Sequence, residues 1–102
     1  MRKTETGLKQ SMLEQFISIS ASIPNLQRLI LFGSRAKGSY KYNSDIDLAC
    51  VSTGPIRNQY DLDMEEAAGL YKLDLLDLAT LTDTLLLEEI KQGVVLFDRN
   101  RK

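Results

Sequence analysis

The spacing of apolar residues predicts a helix followed by a buried strand in the first third of the chain. Apolar residues recur at three- and four-residue steps from Leu8 to Ile23, which predicts one face of an amphipathic helix that stops at Pro24. The segment 26–32 lies between Pro24 and Gly33, is rich in β-favouring apolar residues and is too short for a core helix, so it predicts a buried strand. Residues 33–44 contain Gly and Ser but no large aliphatic residue, which predicts a loop with one helical turn.

The remainder of the chain continues the alternation of strands and helices. Residues 45–51 alternate with a period of two, so they predict a strand with Asp45 and Asp47 on one face and Ile46, Leu48 and Cys50 on the other. The later patterns predict a helix over 56–70, a strand over 73–81, a helix capped by Thr82 or Asp83, and a strand over 94–97. The predicted fold class is therefore α/β (α+β), with helices packed on a single small mixed sheet of about four strands.

Length and charge restrict the organisation and the partners of the protein. The 102 residues predict a single domain, 1–102, with mobile polar ends at 1–7 and 99–102. The net charge of -1 gives no overall attraction to a polyanion, so binding to nucleic acid or to a membrane surface is not expected. No apolar run approaches the roughly 20 residues of a membrane-spanning helix. A lone Cys and the lack of a secretory signal pattern predict a cytoplasmic protein.

The sequence contains no His, and this limits the chemistry that it can perform. Imidazole metal ligands and the Ser–His and Cys–His nucleophile pairs are excluded. Any catalysis must therefore depend on carboxylates, Lys or Arg, hydroxyl groups or metal ions.

Two aspartates on one strand face form the first candidate site. Asp45 and Asp47 occupy positions i and i+2, so their Cα atoms lie about 6.5–7 Å apart and their oxygens can converge on one or two divalent cations. Oxygen ligands favour Mg²⁺ or Mn²⁺ over zinc. A third carboxylate from a neighbouring strand would complete the site, and Asp74 or Asp77 is placed to supply it. These two have opposite parity, so only one can share the face unless the strand bulges or ends between them.

A Gly-Ser pair at the end of the preceding strand supplies the second candidate feature. Without a Cβ, Gly33 lets the backbone approach a ligand, and Ser34 adds a hydroxyl donor. Arg35, Lys37 and Lys41 follow without an intervening acid, which is a local excess of cations that suits a polyphosphate. Each feature alone is more often a turn or a solvated surface. Their combination favours function, because a carboxylate pair beside apolar strand residues is costly without compensating cations.

The segment GSRAKGSYKYNSDIDL resembles the signature of the DNA polymerase β nucleotidyltransferase superfamily, and specifically that of the minimal nucleotidyltransferase (MNT) proteins. The resemblance extends over nearly the whole chain. It implies that Asp45 and Asp47 coordinate two Mg²⁺ ions, with Mn²⁺ as the alternative metal. It also implies a third carboxylate that activates the acceptor hydroxyl and shares one metal. Asp74 is preferred for this role because family members carry an acid near the start of this strand, and Asp77 is the reserve.

The same resemblance implies how the nucleotide is bound. Gly33 and Ser34 would hold the β- and γ-phosphates of ATP, and Arg35 and Lys37 would contact phosphate or line the mouth of the site. The implied reaction is transfer of AMP from ATP to a hydroxyl group with release of pyrophosphate. Tyr40 and Tyr42 lie beside this loop, where they could stack on the base, contact a partner or pack internally.

MNT proteins are commonly encoded beside HEPN-domain proteins, and this association implies a partner. The protein would be an antitoxin that AMPylates a tyrosine of a HEPN ribonuclease toxin within a hetero-oligomer. Two alternatives remain open. The chain could be a non-catalytic nucleotide-binding subunit that neutralises its partner by contact, or a small-molecule nucleotidyltransferase resembling kanamycin-modifying enzymes.

Overall fold

A computed structural model describes residues 6–56 and 58–100, and its elements follow the predicted order. They are α1 (Gln10–Ala21), β1 (Leu26–Phe32), α2 (Ser34–Lys37), β2 (Ile46–Ser52), α3 (Asn58–Ala68), β3 (Leu73–Asp77), a 3₁₀ turn (Leu78–Thr80), α4 (Thr84–Lys91) and β4 (Val94–Asp98). Within the described ranges, no helix has the length and apolar character needed to cross a membrane.

The four strands form one mixed sheet, as predicted. Their spatial order is β3-β2-β1-β4. Strand β1 pairs antiparallel with both β2 and β4, whereas β2 and β3 are parallel. Helix α3 lies in the crossover that a parallel pair requires. The two strands that carry the candidate carboxylates are therefore direct neighbours.

Each face of the sheet has its own hydrophobic core. Helices α1 and α3 cover the larger core, in which Phe16 and Met64 are fully buried against alternate residues of β1 and β2. A hydrogen bond of 2.8 Å between the hydroxyls of Ser20 and Tyr60 joins the two helices inside this core. On the opposite face, Ile90 of α4 packs in a smaller core formed by the side chains of Ile30, Phe32 and Ala49. That second face also carries Asp47.

Two polar side chains set boundaries that periodicity left open. The predicted strand over 73–81 is too long, because the Asp77 side chain accepts a hydrogen bond from the Ala79 N–H at 3.0 Å and starts the 3₁₀ turn. The cap of α4 is Asp83, which accepts from the N–H groups of Leu85 and Leu86. Asp and Asn act in this way because their short side chains reach backbone donors one turn ahead.

The mobility of 1–7 and 99–102 stays a prediction, and the described residues at both ends contact the rest of the fold. Thr6 is 8% exposed, and Gly7 lies directly beneath the ring of Tyr40. The guanidinium of Arg99 lies over the Phe97 ring and donates to three backbone carbonyls, those of Ala21, Ile23 and Leu26. These contacts are distant in sequence, so local polarity does not reveal them. The predictions for 1–5 and 101–102 lie outside the described residues.

Candidate active site

A row of three residues across the sheet forms the centre of the candidate site. Phe32 at the end of β1 is in register with Asp47 of β2, and Asp47 is in register with Asp74 of β3. The parallel pairing of β2 and β3 places Asp47 and Asp74 side by side on the face that α4 partly covers. The structure thus brings together two of the three carboxylates that the sequence indicated.

The electrostatics of Asp47 reflect this crowding. The pKa of Asp47 is raised to about 6, mainly by burial and then by the charges of Asp74 and Asp45. A side-chain hydrogen bond with Asp74 and the charge of Glu89 act in the same direction. Since all of these causes oppose ionisation, Asp47 holds its negative charge at a cost that a cation would offset.

Asp45 lies immediately before β2 and is exposed. Its charge acts on Asp47, but it is not gathered with the other two into a compact cluster. Across residues 6–56 and 58–100, no group of three or more His, Cys, Asp or Glu side chains is assembled closely enough to hold a metal ion. The structure therefore contains an Asp47–Asp74 pair with Asp45 at its edge.

Asp77, the reserve candidate, lies apart from this pair. It is in register with Cys50 rather than with Asp47, and its carboxylate caps the 3₁₀ turn. Cys50 itself is a buried free thiol, and burial, followed by the charge of Asp77, raises its pKa to about 11. Cys50 is therefore uncharged at neutral pH and is not a nucleophile.

Gly33 permits the close approach between the loop and the carboxylates. It has φ of 78° and ψ of -156°, a conformation that L side chains rarely adopt. A Cβ atom at this position would collide with Oδ2 of Asp47. Ser34 follows, half-buried, as the first residue of the four-residue helix α2. Gly33 thus lies directly against the Asp47 carboxylate.

Arg35, which was expected to contact phosphate or to line the mouth of the site, is buried inside the protein. Arg35 is 1% exposed, and its guanidinium donates to the backbone carbonyls of Thr6, Tyr42 and Ser44. The same group lies 5.1 Å from the ring centroid of Tyr40 and 4.8 Å from that of Tyr71. The guanidinium is turned into the protein, so it is not presented to a ligand.

The two tyrosines of the loop have different environments. Tyr40 packs internally, between Gly7 and Arg35. Tyr42 is 87% exposed, although its backbone carbonyl is fixed by Arg35 at 3.3 Å. Internal packing is thus the structural role of Tyr40, whereas the ring of Tyr42 is presented to solvent.

Lys37 is the cation of α2 that remains exposed. Its Nζ lies 3.9 Å from Oε1 of Glu89 on α4, with 56% of the Lys37 side chain exposed. Glu89 was missed as a neighbour of the site, because two consecutive glutamates on a helix are ordinarily expected to face solvent. Its position depends on how α4 packs across the second face of the sheet, and helical periodicity alone does not give that information.

The donor set suits a hard divalent cation. Asp45, Asp47 and Asp74 supply only carboxylate oxygens, the ligands that Mg²⁺ and Mn²⁺ prefer. The raised pKa of Asp47 is the structural sign that this side chain gains from a nearby positive charge. Because Gly33 has no Cβ, its backbone lies directly against the Asp47 carboxylate.

The chain belongs to the polymerase β nucleotidyltransferase family. The profile of that family, described as Polymerase beta, Nucleotidyltransferase, matches residues 14–102. A curated relative, protein adenylyltransferase MntA of Shewanella oneidensis, is 35% identical over 75 residues, which are 71% of this chain and 54% of MntA. The chain thus spans about half the length of that relative.

Solved structures with the same fold come from toxin–antitoxin complexes. A crystal structure of a toxin–antitoxin with AMP-PNP contains a chain that is 29% identical, with a TM-score of 0.67 over 91% of this chain and 76% of that one. A second structure holds tri-AMPylated Shewanella oneidensis HEPN toxin in complex with MNT antitoxin. Its matching chain is 26% identical, with a TM-score of 0.63 over 89% of this chain and 73% of that one.

Proposed function

We propose that this protein is an antitoxin that transfers AMP from ATP to a tyrosine of a HEPN-type toxin. The observation that carries the proposal is that Asp47 and Asp74 lie side by side on neighbouring strands, with Gly33 directly against Asp47. The chain that holds them is a member of the polymerase β nucleotidyltransferase family. The relative named protein adenylyltransferase MntA supports AMP as the transferred group. The AMP-PNP in a similar structure supports ATP as the donor.

In this proposal, Asp45, Asp47 and Asp74 hold Mg²⁺, with Mn²⁺ as the alternative. The metal supplies charge neutralisation and orients the triphosphate when bound. Asp47 contributes a carboxylate whose ionisation is made costly by burial and by neighbouring charges, so a bound cation would stabilise its charged form. Asp45 is exposed and must join the pair on binding, because the compact three-carboxylate cluster is not preassembled.

Gly33 and Ser34 receive the β- and γ-phosphates, and Lys37 provides the exposed positive charge nearby. The close contact of Gly33 with Asp47 brings the phosphate-binding backbone and the carboxylates to one place. Because Lys37 is held only by an exposed ion pair with Glu89, its side chain can turn toward a triphosphate at little cost.

In the transfer step, a tyrosine hydroxyl of the partner attacks the α-phosphorus of ATP. The new bond joins the tyrosine oxygen to AMP, and the bond to pyrophosphate breaks. Asp74 accepts the hydroxyl proton, and this is the role we assign to the third carboxylate. The chain thus contributes positioning and charge, which are the main sources of rate enhancement in phosphoryl and nucleotidyl transfer.

The acceptor comes from a separate protein with which this chain forms a hetero-oligomer. The similar chains found in complexes with HEPN toxin support this partner. We place the reaction in the cytoplasm, in keeping with the unpaired, buried Cys50.

The proposal is tested by incubating the protein with Mg²⁺, α-labelled ATP and a HEPN-type toxin, and by locating the label with mass spectrometry. Transfer to a tyrosine is expected, with a loss of about 100-fold or more for Asp45→Asn and Asp47→Asn. Asp98→Asn is the matched control, because Asp98 ends β4 opposite Arg28, at the far end of the sheet. If both site variants still neutralise the toxin and the wild type transfers no label, the chain acts by contact alone.

A further inference from the structure

The guanidinium of Arg35 holds the peptide that leads into the first candidate metal ligand. Nε and Nη2 of Arg35 both donate to the Ser44 carbonyl, at 3.2 and 3.0 Å. This carbonyl belongs to the peptide unit that joins Ser44 to Asp45. Two donors from one planar group on one oxygen restrict both the position and the orientation of that peptide.

Further hydrogen bonds within the loop before Asp45 support the contact between Arg35 and the Ser44 carbonyl. The N–H of Lys41 donates to Oγ of Ser44 at 2.7 Å, and the N–H of Ser44 donates back to the Lys41 carbonyl at 3.0 Å. The turn so formed directs the carbonyls of Tyr42 and Ser44 toward Arg35. Without the guanidinium, these carbonyls would lose their partner in a partly buried place, which is costly.

Arg35 also touches the segment that leads into the strand of Asp74. The ring of Tyr71 lies 4.8 Å from the guanidinium carbon, between α3 and β3. In the next residue, the Lys72 carbonyl accepts from the Ile46 N–H at 2.9 Å, which begins the pairing of β2 with β3. Arg35 thus contacts the residues that enter both carboxylate-bearing strands.

We infer that Arg35 is a positioning residue of the site: it fixes the Ser44–Asp45 peptide, and so holds the backbone of Asp45 at the edge of the Asp47–Asp74 pair, from where the Asp45 side chain joins the pair when metal binds. Its catalytic consequence rests on the proposed function, whereas its effect on the loop does not. Lys cannot replace Arg35. An ammonium is not planar, so it cannot donate to several carbonyls in fixed directions while lying between two aromatic rings.

Arg99 offers a matched control elsewhere in the fold. Its guanidinium also donates to three backbone carbonyls and also lies over an aromatic ring, that of Phe97 at 5.2 Å. Arg99 donates a hydrogen bond to the Leu26 carbonyl at the start of β1, whereas the candidate site lies at the Phe32 end of this strand. Arg35→Lys and Arg99→Lys therefore remove the same chemistry from two different places.

The experiment compares both variants with the wild type in the full chain. We expect a larger loss of melting temperature for Arg35→Lys than for Arg99→Lys, because Arg35 is buried and Arg99 is exposed. Only Arg35→Lys should weaken Mn²⁺ binding in the presence of AMP-PNP, and lower kcat with little change in KM, each by about 10–100-fold. Hydrogen exchange should accelerate at the amides of residues 41–46 in Arg35→Lys alone. Equal Mn²⁺ affinity, kcat and exchange rates in both variants would overturn the inference.

A second variant protects the test against loss of folding. Tyr71→Leu keeps an apolar side chain but removes one of the two rings that hold the guanidinium, so it should produce the same changes at a smaller size. Failure of the proposed function has a different signature. The wild type would then neither bind Mn²⁺ with AMP-PNP nor transfer AMP, while exchange at residues 41–46 would still report whether Arg35 holds the loop.

Discussion

Asp74 lies directly opposite Asp47 on the neighbouring parallel strand, and the pair makes ionisation of Asp47 costly. Burial is the largest cause of its raised pKa, and the charges of Asp74 and Asp45 follow. A carboxylate placed in this way opposes folding of the metal-free chain. The candidate site is thus a local source of instability that a bound cation relieves.

The first prediction concerns pH and Asp47→Asn. Because the pKa of Asp47 is about 6 in the folded chain against 3.8 for an ordinary Asp side chain, the protonated form favours folding. The stabilisation that protonated Asp47 gives to the fold is complete below pH of about 4 and is lost as pH rises through about 6. Asn at position 47 has no charge to gain, so Asp47→Asn does not lose stability in this way. We expect the variant to be more stable at pH 7.5 by about 1 kcal/mol, a value reduced for solvent screening, and to equal the wild type near pH 4.

Thermal unfolding of both proteins without metal across this pH range measures the difference. A gain of about 1 kcal/mol corresponds to about 4–8 °C in a domain of this size. The informative quantity is the difference in unfolding free energy between the wild type and the variant at each pH, because contributions common to both proteins cancel. A difference that stays constant with pH would contradict the prediction.

The second prediction concerns addition and removal of metal. A cation that binds only the folded chain stabilises it by about 1.4 kcal/mol at ten times its dissociation constant. Mg²⁺ or Mn²⁺ should therefore raise the melting temperature of the wild type, and EDTA should reverse the rise. The double variant Asp45→Asn/Asp47→Asn should show no such rise, whereas Asp98→Asn should respond like the wild type. An equal response of the double variant would mean that the metal binds elsewhere.

The third prediction concerns the glycine beside the carboxylate pair. Gly33→Ala places a Cβ against Asp47 in a backbone conformation with φ of 78°. We expect a stability cost of about 1–3 kcal/mol and a loss of most AMP transfer, because the carboxylate must move aside.

Gly69→Ala separates backbone strain from contact. Gly69 also has positive φ, at 65°, but an added Cβ there meets nothing within 4 Å. This variant should lose about 1 kcal/mol of stability and keep its transfer activity. Denaturant unfolding and the labelled-ATP assay measure both quantities. Equal activity losses in the two variants would show that the strain, not the contact with Asp47, is responsible.

Local patterns were sufficient to predict the elements and the face on which the carboxylates lie. Period-two alternation over 45–51 separates Asp47 from Ile46 and Leu48, and the structure has the same split. Pro24 and Gly33 bound β1 as expected, because each residue interrupts regular structure for a backbone reason. The order of the elements followed from these signals alone.

Contacts between distant segments could not be predicted from local sequence patterns, and Arg35 illustrates the reason. In sequence it is a cation in a Gly- and Ser-containing loop, which suggested phosphate. In the structure its partners come from Thr6, 29 residues earlier, and from the ring of Tyr71 on a later segment. No local feature marks a cation as buried, because burial depends on which distant segments pack around it. The contacts of Arg99 were not predicted either, because they also join segments that are far apart in the sequence.

The fourth prediction separates the two candidates for the third carboxylate. Parity alone indicated that either Asp74 or Asp77 shares a face with Asp47, and the register pairs Asp47 with Asp74. Asp74→Asn should therefore lower AMP transfer by about 100-fold, because an amide neither accepts the hydroxyl proton nor carries the charge that holds a cation. The labelled-ATP assay with the toxin as acceptor measures this loss.

Asp77→Asn is the matched control on the same strand. An amide oxygen can still accept the hydrogen bond that Asp77 receives from the Ala79 N–H, so the 3₁₀ turn and the stability of the chain should be retained. Transfer activity should also stay near the wild-type level, since Asp77 is in register with Cys50 instead of Asp47. If Asp77→Asn loses transfer while Asp74→Asn keeps it, the assignment of Asp74 is wrong and the register does not identify the catalytic carboxylate.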